Sequence, residues 1–178
     1  MKIKLITYFM FIPLFFSCNK NELKLNNSEA NLMEDAIDYI RNKNHLGMKD
    51  CYIVSPYFNY YNLSDFFDSK DKSFVNYFES KNKNKLIEKQ KNINDKYWKK
   101  KSRQLGSFSK CDSSKYVIRF SGLDDSIIIA YLEEFEDKKN LSSLKPKEKL
   151  INRETIFYFF VLDKNKKIVK VLEDAVSW

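Results

Sequence analysis

The stretch YVIRFSGLDDSIIIAYLEEF, residues 116–135, decides the fold. Two runs rich in β-branched and aromatic residues, Tyr116 to Phe120 and Ile127 to Phe135, flank the compact turn Gly122-Leu123-Asp124-Asp125. That pattern predicts two antiparallel neighbours. Downstream it repeats: Ile156 to Leu162 and Ile168 to Leu172 read as strands joined by the turn Asp163-Lys164-Asn165-Lys166. The four runs together predict an antiparallel meander. The link from Glu136 to Glu154 is long, charged and contains Pro146, so a mobile loop is expected there.

Upstream the periodicity is helical. Ser28 is the expected cap of a helix in which Met33, Ala36, Ile37 and Ile40 recur on one face, with Gly47 near its end. Cys51 to Val54 reads as a short strand stopped by Pro56, and Tyr57 to Tyr61 as a second edge strand or a loop. Asn62 to Arg103 reads mainly as helix, with Ser64 and Ser73 as caps and a break among Lys81, Asn82, Lys83 and Asn84. The expected fold is α+β, with N-terminal helices packed on a four- to five-stranded antiparallel meander sheet. This order of elements resembles the cystatin-like and NTF2-like folds, in which a curved sheet wraps a helix. The resemblance is one of topology, and such folds host many unrelated functions.

The N-terminus carries a different signal. Lys2 and Lys4 precede a mostly apolar run of 12 residues, Leu5 to Phe16, and Ser17-Cys18 follows it. A transmembrane helix needs roughly 20 apolar residues, and this run gives way to Asn19-Lys20-Asn21-Glu22. Charge, apolar run and small residue before a cut describe an export signal. With a cysteine directly after the cut, the segment resembles the bacterial lipoproteins processed by the lipoprotein signal peptidase. Phe15 and Phe16 stand where that class more often has Leu and a small residue. The resemblance implies that Cys18 becomes the acylated first residue of a protein tethered to the cell envelope, at the outer membrane. An ordinary cleaved signal and an uncleaved anchor remain the alternatives. The organisation read is a signal over residues 1–17, a lipidated N-terminus and tether over 18–27, and one α+β domain over 28–178.

If Cys18 is spent on lipid, Cys51 and Cys111 are left. In an exported protein they can form a disulfide closing a loop of about 60 residues; two separate buried thiols are the alternative. The mature chain has 161 of the 178 residues, a length that fits one core. Loss of Lys2 and Lys4 lowers the formal net charge from +8 to +6. Residues 81–110 hold eleven Lys/Arg against Glu88 and Asp95, a net of +9, so the rest of the mature chain is at −3.

Catalytic patterns are sparse. His45 is the sole histidine, at an expected helix end where surface or capping use outweighs a place in a Ser-His-Asp triad. Three glycines, Gly47, Gly106 and Gly122, make no phosphate-binding loop. No cofactor or metal is expected. Asp124-Asp125 and the group Glu133, Glu134, Glu136 and Asp137 could serve a carboxylate-dependent envelope hydrolase acting on glycans, although acids at strand ends are more often simply solvated.

The basic stretch is the stronger binding candidate. As one helix from Lys85 to Arg103, it would turn Leu86, Ile93 and Tyr97 inward and present Lys85, Lys89, Lys96, Lys99, Lys100 and Arg103 to an anionic envelope component or an acidic protein. Nucleic acid is not expected, since no nucleic-acid motif accompanies the charge. Tyr57, Phe58, Tyr60, Tyr61, Phe66 and Phe67 read as core and rim, with a sugar-stacking platform as the alternative. The functional expectation is a lipid-anchored, non-catalytic binding or scaffolding module.

Overall fold

The computed structural model describes residues 21–48, 50–60, 72–146 and 154–177. Helix α1 spans Asn27–Lys43 and buries Leu32, Met33, Ala36, Ile37 and Ile40. Its cap is Asn26, two residues before Ser28. The Asn26 side chain accepts from the Glu29 N–H at 2.9 Å while the Glu29 carboxylate accepts from the Asn26 N–H at 3.0 Å. This reciprocal pair satisfies two orphan donors at once, which a cap at Ser28 could not do with the acid at Glu29. The helix stops at Asn44, which takes left-handed φ 49°, and a 3-10 turn, His45–Gly47, follows.

Strand β1 is Ile53–Val54, and Tyr57 to Tyr60 is not a strand. Three helices follow: α2 over Lys72–Glu79, α3 over Lys83–Tyr97 and α4 over Arg103–Ser107. Ser73 lies inside α2 and does not cap it, whereas Asn82 marks the expected break and caps α3. Strands β2 (Ser113–Leu123), β3 (Ile127–Asn140), β4 (Glu154–Leu162) and β5 (Ile168–Ser177) complete the chain. Ser64, Tyr61, Phe66 and Phe67 lie outside the described residues.

The sheet has five strands in the order β1-β2-β3-β4-β5. The meander β2 to β5 is antiparallel, but β1 pairs with β2 in parallel, Ile53 opposite Val117 and Val54 opposite Ile118, so the sheet is mixed rather than antiparallel. The cause lies in the connection. The connection between β1 and β2, which among the described residues holds α2, α3 and α4, carries the chain back to the end where β1 began, as a parallel crossover requires.

Two other expectations change. Of the link from Glu136 to Glu154, the first part is strand: Lys139 pairs with Ser114 and Asn140 with Ser113. Leu144 then packs against Ile53 and Val117, and residues 147–153 lie outside the described residues. The expected tether is partly built into the domain. The Leu23 N–H donates to the Lys101 carbonyl at 2.7 Å, the Lys101 N–H donates to the Asn21 carbonyl at 2.8 Å, and Leu25 is buried with its N–H on Gln104 Oε1.

Alternation along β4 explains the layering. Tyr158 and Phe160 meet Tyr39 of α1 edge-on, at 6.4 and 5.6 Å between ring centroids. Phe159 points the other way, into Phe74, Tyr77 and Phe78 of α2. With both faces covered, the run Ile156-Phe157-Tyr158-Phe159-Phe160 is buried throughout, as expected of a strand without a solvent face.

Cys51 and Cys111 are joined in a disulfide with Cα atoms 5.5 Å apart, tying the entry of β1 to the entry of β2 across 60 residues. Closing such a loop stabilises by about 4 kcal/mol in the chain-entropy model. Reduction is expected to lower the melting temperature by about 10 °C. Alkylation of the native protein before and after reduction checks the bond, and two thiols that label freely beforehand would contradict it.

Candidate functional site

The inward face of α3 forms as its spacing predicts, with Leu86, Ile93 and Tyr97 buried. The helix does not reach Arg103. Trp98 leaves helical geometry at ψ 133° and Lys99 takes left-handed φ 61°, so the chain turns sharply after Tyr97. The six basic candidates therefore do not share one helix face. Lys85 is exposed on the first turn of α3. Lys89 donates to Asp124 at 2.9 Å and to the Ser126 hydroxyl, at the turn between β2 and β3. Lys96 reaches Glu29 of α1 at 3.4 Å and lies 4.6 Å over the Tyr97 ring. These two cations serve neighbouring acids rather than an outside anion.

The other three stand at a corner. Lys99 lies 4.2 Å over the Trp98 ring, Lys100 is half-buried, and Arg103 opens α4 with Glu22 at 2.9 Å. Lys101, exposed and absent from the expected set, completes a run of three lysines and lies 5.6 Å from the Tyr57 ring. Tyr60, 38 % exposed, packs edge-on against Trp98 at 5.4 Å. Backbone bonds hold the corner: the Phe58 N–H donates to the Lys100 carbonyl at 3.0 Å, the Lys99 N–H to the Phe58 carbonyl at 3.3 Å, and the Ser102 N–H to the Pro56 carbonyl at 2.7 Å. A shallow cleft opens beside it between Pro56, Lys101, Arg103, Gly106, Asp112 and Leu141. Of the aromatic candidates, Phe58 is core at 4.9 Å from Tyr97 and Tyr57 is half-buried. Cys18, the candidate acylation site, lies outside the described residues.

The two groups of carboxylates do not converge. Asp124 accepts from the Ser126 and Ile127 N–H groups as a turn acceptor, and Asp125 pairs with Lys166 at 3.2 Å. Eight residue steps lead from Ser126 to Glu134, about 27 Å of strand. A glycosidic acid–base pair needs carboxyls roughly 5–10 Å apart. Glu133 is fully buried on Arg119 Nε at 2.6 Å, and Arg119 Nη1 also reaches Ser55 Oγ at 3.2 Å and the Lys145 carbonyl at 3.4 Å. Glu136 and Asp137 are exposed.

A second polar cluster escaped the sequence reading. Glu173 of β5 accepts from the Tyr39 hydroxyl at 2.5 Å, lies 2.8 Å from His45 Nε2 and 3.5 Å from Lys43 Nζ. His45 thus pairs with a carboxylate beside a tyrosine. The signal lay in strand parity: Glu173 falls on the same face as Val171, turned toward α1. Burial by itself would raise the Glu173 carboxyl, but the hydrogen bonds from Tyr39 and His45 and the charges of Lys43 and His45 outweigh it and hold the group below its ordinary value. Beneath it, burial first and then the Glu173 and Tyr39 charges push the Tyr158 hydroxyl far above the usual tyrosine value.

Among the described residues, no group of three or more His, Cys, Asp or Glu is placed to hold a metal ion, and no helix is long and apolar enough to cross a membrane. Comparison with protein-family models, curated proteins and solved structures finds no match, so the likeness to the cystatin-like and NTF2-like folds rests on element order alone.

The depressed Glu173 value has a definite sign. Its stabilisation is complete above the ordinary carboxylate range, near pH 4.3, and is lost as pH falls through the lower folded value. Glu173→Gln is expected to destabilise the domain by about 1 kcal/mol at neutral pH, with the melting-temperature gap to wild type closing below about pH 4. A gap that does not change with pH would contradict this account.

Proposed function

We propose that the protein is a lipid-anchored component of the cell envelope, attached through acyl chains on Cys18 at the outer membrane, and that its α+β domain binds or scaffolds without turning over a substrate. The observation that supports this most strongly is the meeting of Lys99, Lys100, Lys101 and Arg103 with the segment Asn21–Leu25 at one corner. The partner chemistry is anionic: headgroup phosphates, acidic glycans or an acidic protein surface. Exposed lysines beside aromatic rings supply charge attraction together with flat apolar contact, and such attraction is screened over about 8 Å at physiological salt. The separation of Asp124 and Asp125 from the acids at the far end of β3 weighs against a hydrolase that would pair the two groups.

Two measurements test the proposal. Mass spectrometry of the mature N-terminus is expected to find acylated Cys18, and Cys18→Ser is expected to leave the protein unprocessed or released from membranes. A pull-down from envelope extract with the protein lacking its lipid is expected to retain anionic material in dilute buffer and to lose it at high salt. The combined Lys99→Gln, Lys100→Gln, Lys101→Gln and Arg103→Gln variant should retain little at either salt. An unmodified N-terminus beginning elsewhere defeats the anchoring, and identical behaviour of variant and wild type defeats the binding.

A further inference from the structure

We propose that the ligand of the Trp98–Arg103 corner is the anionic surface of the same leaflet that holds the Cys18 acyl chains, so that the domain is docked on its membrane in one orientation. The inference rests on the lipid-anchored reading and adds the identity of the partner and the face that meets it.

The length of chain outside the described residues carries the argument. Cys18 is three residues before Asn21, and three Cα–Cα steps of 3.8 Å span at most about 11 Å whatever path they take. Asn21 is not free to swing, because its carbonyl accepts from the Lys101 N–H at 2.8 Å and the next pairing, the Leu23 N–H to the Lys101 carbonyl, is 2.7 Å. Leu25 is buried and bonded to Gln104. An acyl chain on Cys18 therefore holds Lys101 within about 11 Å of the lipid attachment plus the short reach of the pairing itself. The polar layer of a leaflet is roughly 5–8 Å thick, and the screening length at physiological salt is about 8 Å. A cation so tethered stays within the field of the headgroups at nearly all times, and its effective concentration there is set by the tether rather than by diffusion.

The chemistry of the corner suits that surface. Lys99 and Lys101 are exposed, Lys24 is exposed on the tethering segment, and Arg103 keeps most of its side chain in solvent while contacting Glu22. Trp98 and Tyr60 stand among them, edge to face. Ring and ammonium together are the residue types that settle at a membrane interface, the ring at the headgroup level and the charge toward phosphate. The segment Asn21–Leu25 pairs with Lys101 and Gln104, whereas Lys89 and Lys96 pair with Asp124 and Glu29, so the docking face is the corner that the tether holds and not the outer side of α3.

The test uses the full acylated protein carrying Trp178→Phe, which leaves Trp98 as the sole tryptophan. It is reconstituted into vesicles of phosphatidylethanolamine with phosphatidylglycerol, or into neutral phosphatidylcholine, each with brominated acyl chains that quench nearby tryptophan. Quenching of Trp98 is expected in the anionic vesicles and much less in the neutral ones. High salt, or Lys99→Gln with Lys101→Gln, should reduce it to the neutral level while the protein remains on the vesicles. Protein that carries acyl chains by mass spectrometry yet shows equal quenching in both vesicle types, or none in either, overturns the docking and leaves the anchor standing. An unmodified Cys18 overturns the anchored reading and the docking with it.

Discussion

At Gly122 helix α3 comes so close to β2 that a side chain of any size would collide with it. A Cβ there would lie 2.6 Å from Tyr97 Cδ2 and 2.9 Å from Ile93 Cγ2, and the backbone holds φ 138°, a conformation that L side chains rarely adopt. Glycine meets both demands. The contact fixes Tyr97, which is fully buried, 4.9 Å from the Phe58 ring and within 3.3 Å of Glu29. With Tyr97 held, the helix end is held, and the Lys100 N–H closes back on the Tyr97 carbonyl at 2.9 Å. The left-handed turn at Lys99 then directs residues 99–101 between Phe58 on one side and Asn21 to Leu23 on the other. A contact in the core thus decides where three lysines and the N-terminal segment meet on the surface.

The interior on the sheet also accommodates charge. Arg119 and Glu133 are buried as a pair, with Ser55 and the Lys145 carbonyl completing the guanidinium contacts. Removing one partner of such a pair typically costs about 3–5 kcal/mol, because the other charge is left without compensation. The pair sits on rungs two apart, on one face of β2 and β3, since Arg119 is opposite Tyr131 and Glu133 opposite Val117. By gripping β1's exit, β2, β3 and the segment after β3 at once, it favours one arrangement of the strands and makes the domain a firm support for the corner.

Much of this was legible in the sequence where the signal is local. Alternation and β-branched content marked β2 to β5, the short turns marked their antiparallel pairing, and the 3.6-residue period marked the inward faces of α1 and α3. What depended on distant partners was not legible. The parallel pairing of β1 rests on two residues whose direction is set by the long helical connection that follows them. The end of α3 at Tyr97 coincides with its close approach to Gly122, while the local sequence Trp98 to Arg103 has no proline to stop a helix. The same holds for Lys89 and Lys96, which look like a solvated basic stripe until Asp124 and Glu29 are placed beside them. Arg119 and Glu133 each interrupt an apolar run, and only the hairpin register shows that they answer one another.

The central claim is that the Gly122 contact holds the basic corner and the N-terminal segment together. Hydrogen exchange at the Leu23 and Lys101 amides, compared between wild type and Gly122→Ala, tests it most directly. The account predicts slow exchange at both amides in wild type and loss of protection at both in the variant, at least as large as the loss at core amides of β3 such as Ala130. Protection at Leu23 and Lys101 that survives while the contact at Gly122 is disrupted, or fast exchange at both in wild type, would contradict it.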